Sequence, residues 1–144
     1  MEFLYGFGGK NMDLYEWVKH YISFRDAMRK QIIDTKYLET MIVVQEKSEQ
    51  KLYFIFEHLE DCAGAIKKIN GEKATIITLN TKENADYLIK QWEIFSEKKD
   101  LTIIFAHPGT NEKWLIHPVS HNKISERKQL KESIYTLLES VGRA

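Results

Sequence analysis

The sequence predicts an α/β domain bordering on α+β, a mixed β-sheet of about five to six strands with about four helices packed on it. Three observations carry that expectation. Two β-branched apolar runs, Ala74–Leu79 and Leu101–Ala106, flank a segment of helical periodicity, the pattern of a parallel βαβ unit with a right-handed crossover. Two further pairings, Thr40–Gln45 with Lys51–Glu57 and Leu101–Ala106 with Lys113–His117, read as β-hairpins. The composition, 43% hydrophobic and 29% charged over 144 residues, suits a single globular domain spanning 1–144.

In chain order, Met1–Tyr5 has the composition of a short strand, and Gly6-Phe7-Gly8-Gly9-Lys10 follows. Residues 1–11 are therefore expected to be an edge strand or a flexible start. A helix is expected from about Asp13 to Ile33, with Leu14, Val18, Tyr21, Met28 and Ile32 at helical spacing. Trp17 and Phe24 widen its apolar arc, so this helix should touch its own sheet and a second body. Trp17, Tyr21, Phe24 and Met28 are accordingly the candidate interface of a homodimer. The hairpin joined by Glu46–Gln50 comes next, and then a helix capped by Asp61 that ends near Asn70-Gly71. Asn80 or Thr81 should cap a helix running to about Glu97. After the last hairpin, Pro118 ends the strand, and a final helix is expected from about Ser125 to Val141.

Charge and cysteine usage narrow the function. The chain has 21 basic and 21 acidic residues, which argues against a general nucleic-acid coat protein but allows a local basic patch. With only Cys62, no intrachain disulfide can form, as expected of a reducing compartment. The start of the chain lacks a signal-peptide pattern, and no apolar run is long enough for a bilayer. A cytoplasmic protein without membrane association is expected. The Lys/Glu- and Ile-rich composition is compatible with a thermophilic source.

The candidate ligand rim comes from topology. Ligands of parallel βαβ sheets gather beyond the carboxyl ends of the strands. Here those ends bring Asn80, Thr81, His107, Gly109 and Thr110 to one rim. A helix N-terminus at Asn80-Thr81 favours an anion, and His107 offers acid–base chemistry. Other constellations are incomplete. His117 and His121 are separated by Pro118, and His107 should lie on the order of 15 Å from His117 along a hairpin, so no metal site is expected. Cys62 and His58 have nothing that fixes them in contact, and a cysteine among small residues packs more often than it reacts. Gly6–Lys10 lacks the full phosphate-loop pattern. Asp34 and Glu46 are suggestively placed for a metal-dependent nuclease, but Glu46-Lys47-Ser48 breaks the Glu-x-Lys pattern. The letters of Glu97-Lys98-Lys99 and Glu126-Arg127-Lys128 fit, on helical segments.

The leading expectation is a small, non-enzymatic binding or assembly module that forms a homodimer, with no cofactor. One alternative is a hydrolase or nuclease working at the rim on phosphate esters or nucleic acid, and a small ligand is a further possible partner. A second is nucleic-acid binding by the first helix, where Tyr15, Trp17, Tyr21 and Phe24 are interleaved with Lys19, His20, Arg25, Arg29 and Lys30.

Overall fold

A computed structural model describes residues 12–124 and 129–144. The expectations for residues 1–11 and for the start of the last helix near Ser125 lie outside the described residues.

The first helix, α1, spans Leu14–Arg29, with the Asp13 carboxylate accepting from the Glu16 N–H at 2.8 Å. It stops four residues short of the expected Ile33. The cause is local. Lys30 adopts a left-handed conformation (φ 50°, ψ 47°) and donates its N–H to the Asp26 carbonyl at 2.8 Å. The Asp26 carboxylate then accepts from the N–H groups of Gln31 and Ile32 at 2.7 and 3.2 Å, turning the chain into a strand. Strand β1 follows at Ile32–Tyr37, where helical periodicity had assigned Ile32 and Ile33 to the helix.

The remaining elements are β2 (Met41–Glu46), β3 (Gln50–Ile55), a 3₁₀ turn (Leu59–Cys62) leading into α2 (Ala63–Lys68), β4 (Lys73–Leu79), α3 (Lys82–Lys90), α4 (Trp92–Ser96), β5 (Leu101–His107), β6 (Glu112–Ile116), α5 (Pro118–Ile124) and α6 (Leu130–Ser140). The single helix expected up to Glu97 is broken at Gln91 (φ −102°, ψ 22°) into α3 and α4. Helix α5, which begins at Pro118, had no sequence expectation; proline suits a first helical turn.

The six strands form one mixed sheet in sequential order, β1 to β6. β1–β2, β2–β3 and β5–β6 are antiparallel, while β3–β4 and β4–β5 are parallel. This is the predicted α/β sheet, with one more hairpin and one more parallel pair than the sequence suggested. Both parallel steps advance in the same direction across the sheet. Right-handed crossovers that advance the same way place their helices on the same face. Cys62, Ile66, Ala85, Leu88, Trp92 and Phe95 of the connecting segments accordingly pack with Ile76, Ile103 and Phe105, and α6 joins them through Leu130, Ile134 and Leu138. Among the described residues, the opposite face receives α1 alone, whose Leu14, Trp17, Val18, Tyr21 and Ile22 pack on Ile42, Val44, Tyr53, Ile55, Ile77 and Ile104.

A polar clamp closes one end of the sheet. Asn80 is fully buried, its Nδ2 donating toward the carbonyls of Leu138, Val141 and Gly142, while its Oδ1 accepts from Trp114 Nε1 at 2.7 Å. The Ala144 N–H reaches the Asn80 carbonyl at 3.0 Å. Trp114 in turn stacks on Phe105 with centroids 4.2 Å apart. One side chain thus ties β4, β6 and the segment after α6 together.

Two stability measurements check these assignments. Asn80→Ala leaves a buried indole N–H and several carbonyls without a partner, and should cost about 3 kcal/mol in denaturant unfolding. Lys30→Gly relieves the left-handed strain and should be neutral or stabilising by up to about 1 kcal/mol, whereas a β-branched residue there should destabilise.

Candidate functional site

The rim at the carboxyl ends of β4 and β5 is built as a closure. Asn80 is spent on the clamp. Thr81 caps α3 by accepting from the Asn84 N–H at 3.2 Å. His107 accepts from the Thr110 N–H at 3.3 Å through Nδ1, and a Cβ on Gly109 would sit 3.0 Å from its ring. The Thr110 hydroxyl donates to Glu112 at 2.9 Å. Among the described residues, no carboxylate or second imidazole is hydrogen-bonded to His107. The five rim residues do come together, but around one another and around residues 138–144.

The four candidate interface residues separate into two pairs. Trp17 and Tyr21 stack on each other 5.3 Å apart inside the chain's own core, at 0% and 8% exposure. Trp17 Nε1 also donates to Asn111 in the β5–β6 turn at 2.9 Å. They are therefore core residues and present no face to a partner. Phe24 and Met28 are exposed, Met28 at 91%. Helical spacing places all four on one broad arc; only the packed sheet shows which part of it is covered.

The cysteine and histidine constellations do not assemble. Cys62 is buried, and burial pushes its thiol up to about 12. His117 turns toward Thr102, with Nδ1 2.9 Å from the hydroxyl, while His121 lies edge-on to Trp92 at 5.6 Å. Among the described residues, no group of three metal-ligating side chains forms, and no helix is long and apolar enough to cross a membrane.

The open surface is elsewhere. Helix α1 crosses its face from the β5–β6 turn, where Trp17 bonds Asn111, to the end of β2, where Arg29 meets Glu46. The amino ends of β4 and β5 on that face lie beyond it. Strand alternation then sets up a gradient along the strands. Ile55, Ile77 and Ile104 lie under the helix. One step back, Tyr53, Thr75 and Thr102 stand side by side in register, with His117 bonded to the last of them. Another step back, Lys51 is opposite Lys73. These residues line a cleft of about 450 Å³, together with Arg25, Lys99, Asp100 and Ser120.

Its electrostatics are uneven. Lys51 and Lys73 directly opposite each other would repel. Glu49 lies 3.9 and 3.3 Å from them, and the buried Glu46 lies 3.2 Å from Lys51 and 3.4 Å from Arg29. These contacts satisfy a carboxylate that could not stay buried alone. Arg25 is different. It donates to the Tyr21 hydroxyl at 3.0 Å and lies over that ring, and among the described residues most of its five N–H donors are uncommitted. Lys99 has no ion-pair partner among the described residues. Burial raises the Tyr53 phenol to about 12 despite the neighbouring Arg25, so Tyr53 remains a neutral hydroxyl. The Asp100 carboxylate is the opposing charge in the lining. The cleft thus offers two uncommitted cations, three hydroxyls on the sheet and an imidazole, which is the equipment for holding an oxyanion.

Sequence reasoning missed this site. Arg25 was noted only as part of a basic helix, and Lys51, Thr75, Thr102 and Lys99 belong to separate strands and turns that become neighbours through pairing order. A usable signal was present in the threonines near the start of two largely apolar strands, Thr75 and Thr102. Comparison with protein-family models, curated proteins and solved structures found no match.

The buried state of Cys62 is directly measurable. A disulfide-exchange dye should leave the native thiol unmodified at about pH 8 and label it fully in denaturant, because only the thiolate reacts. Rapid labelling of the folded chain would contradict the assigned burial.

Proposed function

We propose that this chain is a cytoplasmic, non-enzymatic binding module whose ligand carries phosphate and sits in the cleft between α1 and the amino ends of β3, β4 and β5. The observation that carries this reading is the pair of uncommitted cations, Arg25 and Lys99, in one cleft with the hydroxyls of Tyr53, Thr75 and Thr102. A guanidinium with free N–H donors presents a planar edge to an oxyanion, and the hydroxyls can donate to its remaining oxygens. The neighbouring Lys51 and Lys73 are held by Glu46 and Glu49, so they supply field rather than direct grip. His117, in contact with Thr102 through Nδ1, adds an imidazole to the same lining. Thr102 and His117 are in hydrogen-bond contact, but among the described residues no carboxylate is hydrogen-bonded to His117 to orient its imidazole, which is why binding is preferred to catalysis. The free, buried Cys62 accords with a reducing compartment.

Calorimetric titration tests the reading. Inorganic pyrophosphate should bind at one site at low ionic strength, and binding should weaken with added salt. Arg25→Ala and Lys99→Ala should each weaken it about tenfold or more, the scale of one hydrogen bond to a charged group. Lys131→Ala, on the exposed side of α6, should leave it unchanged. A short single-stranded oligonucleotide in a second arm distinguishes a small phosphate compound from nucleic acid. Absence of binding in both arms, or affinity indifferent to Arg25 and Lys99, would sink the proposal.

A further inference from the structure

Among the described residues, strand β1 is an outer edge of the sheet, bonded to β2 on one side only. Its exposed side chains are unusually apolar for an edge: Ile33 is 64% exposed, Tyr37 57%, and Leu38, just past its end, 42%. Soluble proteins usually blunt such edges with charge or cover them. Here the charges on the strand are Asp34 and Lys36, of opposite sign and placed symmetrically about Thr35.

The backbone limits how this edge can pair. Leu38 donates its N–H to the Met41 carbonyl at the β1–β2 turn. Alternation along an antiparallel ladder then points the N–H and C=O groups of Lys36 and Asp34 toward β2, and those of Thr35 and Tyr37 outward. A second copy related by a two-fold axis must pair antiparallel and match outward-pointing residues with outward-pointing residues. Registers centred on any residue from Ile33 to Tyr37 do so, and three of them bring the strand's charges opposite one another. Centring on Lys36 places Lys36 against Lys36, and centring on Asp34 places Asp34 against Asp34; both juxtapose like charges. Centring on Thr35 places Asp34 of each copy against Lys36 of the other, and Ile33 against Tyr37. Opposite charges meet in that register alone. The bulge between Ile32 and Asp34 ends regular pairing on the far side, so the ladder between copies is short and bounded.

We infer that two copies of this chain join through β1, with Thr35 on the two-fold axis and Asp34 paired with Lys36 across it, making one continuous twelve-stranded sheet. The occupant is a second copy rather than a foreign strand because the charge pattern inverts about its own centre. The groups involved are separate from the cleft residues Arg25, Thr75, Thr102 and Lys99, so this inference and the phosphate-binding proposal stand or fall independently.

The test is a charge swap on the full chain, read by sedimentation velocity over a concentration series. The wild type should approach twice the 17.0 kDa chain mass as concentration rises. Lys36→Asp and Asp34→Lys should each raise the dimer dissociation constant at least tenfold, by placing like charges opposite one another. The double variant, Asp34→Lys with Lys36→Asp, should restore wild-type association. Both positions are exposed, so circular dichroism should remain native throughout. A wild type that stays monomeric into the hundreds of micromolar overturns the inference. So does a dimer indifferent to the single reversals, or a double variant that stays dissociated.

Discussion

The direction of the chain's crossovers decides the shape of this molecule. The strands are laid down in order from one edge to the other, without the reversal that gives a doubly wound sheet two covered faces. Right-handed connections that advance one way place their helices on one side. The burden on that side is large: the connecting helices and α6 share a core containing Trp92, Phe95, Phe105 and Trp114. The other side must be covered by whatever precedes the sheet, and among the described residues that is the single helix α1. One helix about 10 Å wide cannot cover six strands spaced roughly 4.8 Å apart. An uncovered quadrant is therefore a consequence of topology, and the sequence makes it polar where the helix ends.

The same topology explains why the carboxyl-end rim is closed. Binding crevices at that end arise where strand order reverses and neighbouring connections diverge to opposite faces. With no reversal, the connections stay together. The segment after α6 lies across the ends of β4 and β6, fastened by Asn80. Thr81 keeps the helix-cap role that its sequence position implies, while Asn80, expected as a cap or a rim residue, is instead a buried hydrogen-bonding hub. At the amino ends, the hydroxyl row and the ion pairs of Glu46 take the place of an apolar lid.

Much of the architecture was legible in the residues. The βαβ unit from Ala74 to Ala106, both expected hairpins and the general α/β class follow from strand-length apolar runs and helical periodicity, because those are local patterns. Three features were hidden for identifiable reasons. The boundary at Lys30 depends on an aspartate four residues earlier accepting from the following N–H groups, and Ile32 and Ile33 fit a helical arc as well as a strand. The β3–β4 parallel pair runs through a connection of one short turn and a six-residue helix, too brief to announce a crossover. The cleft is assembled from three strands, α1, the turn before β5 and the start of α5, so its neighbours are set by strand order, which no single segment encodes. Trp17 and Tyr21 show the complementary limit: periodicity marked them as apolar contacts and could not say that the chain's own sheet would consume them.

The most direct test of this account maps a bound anion by amide and side-chain NMR shifts during a pyrophosphate titration. The account predicts saturable shifts at Thr75, Thr102 and His117, together with the Arg25 and Lys99 side chains, while Thr81, Gly109 and Thr110 stay fixed. Shifts confined to the opposite rim, around Thr81, His107 and Thr110, would contradict it and return the site to the carboxyl ends of the strands.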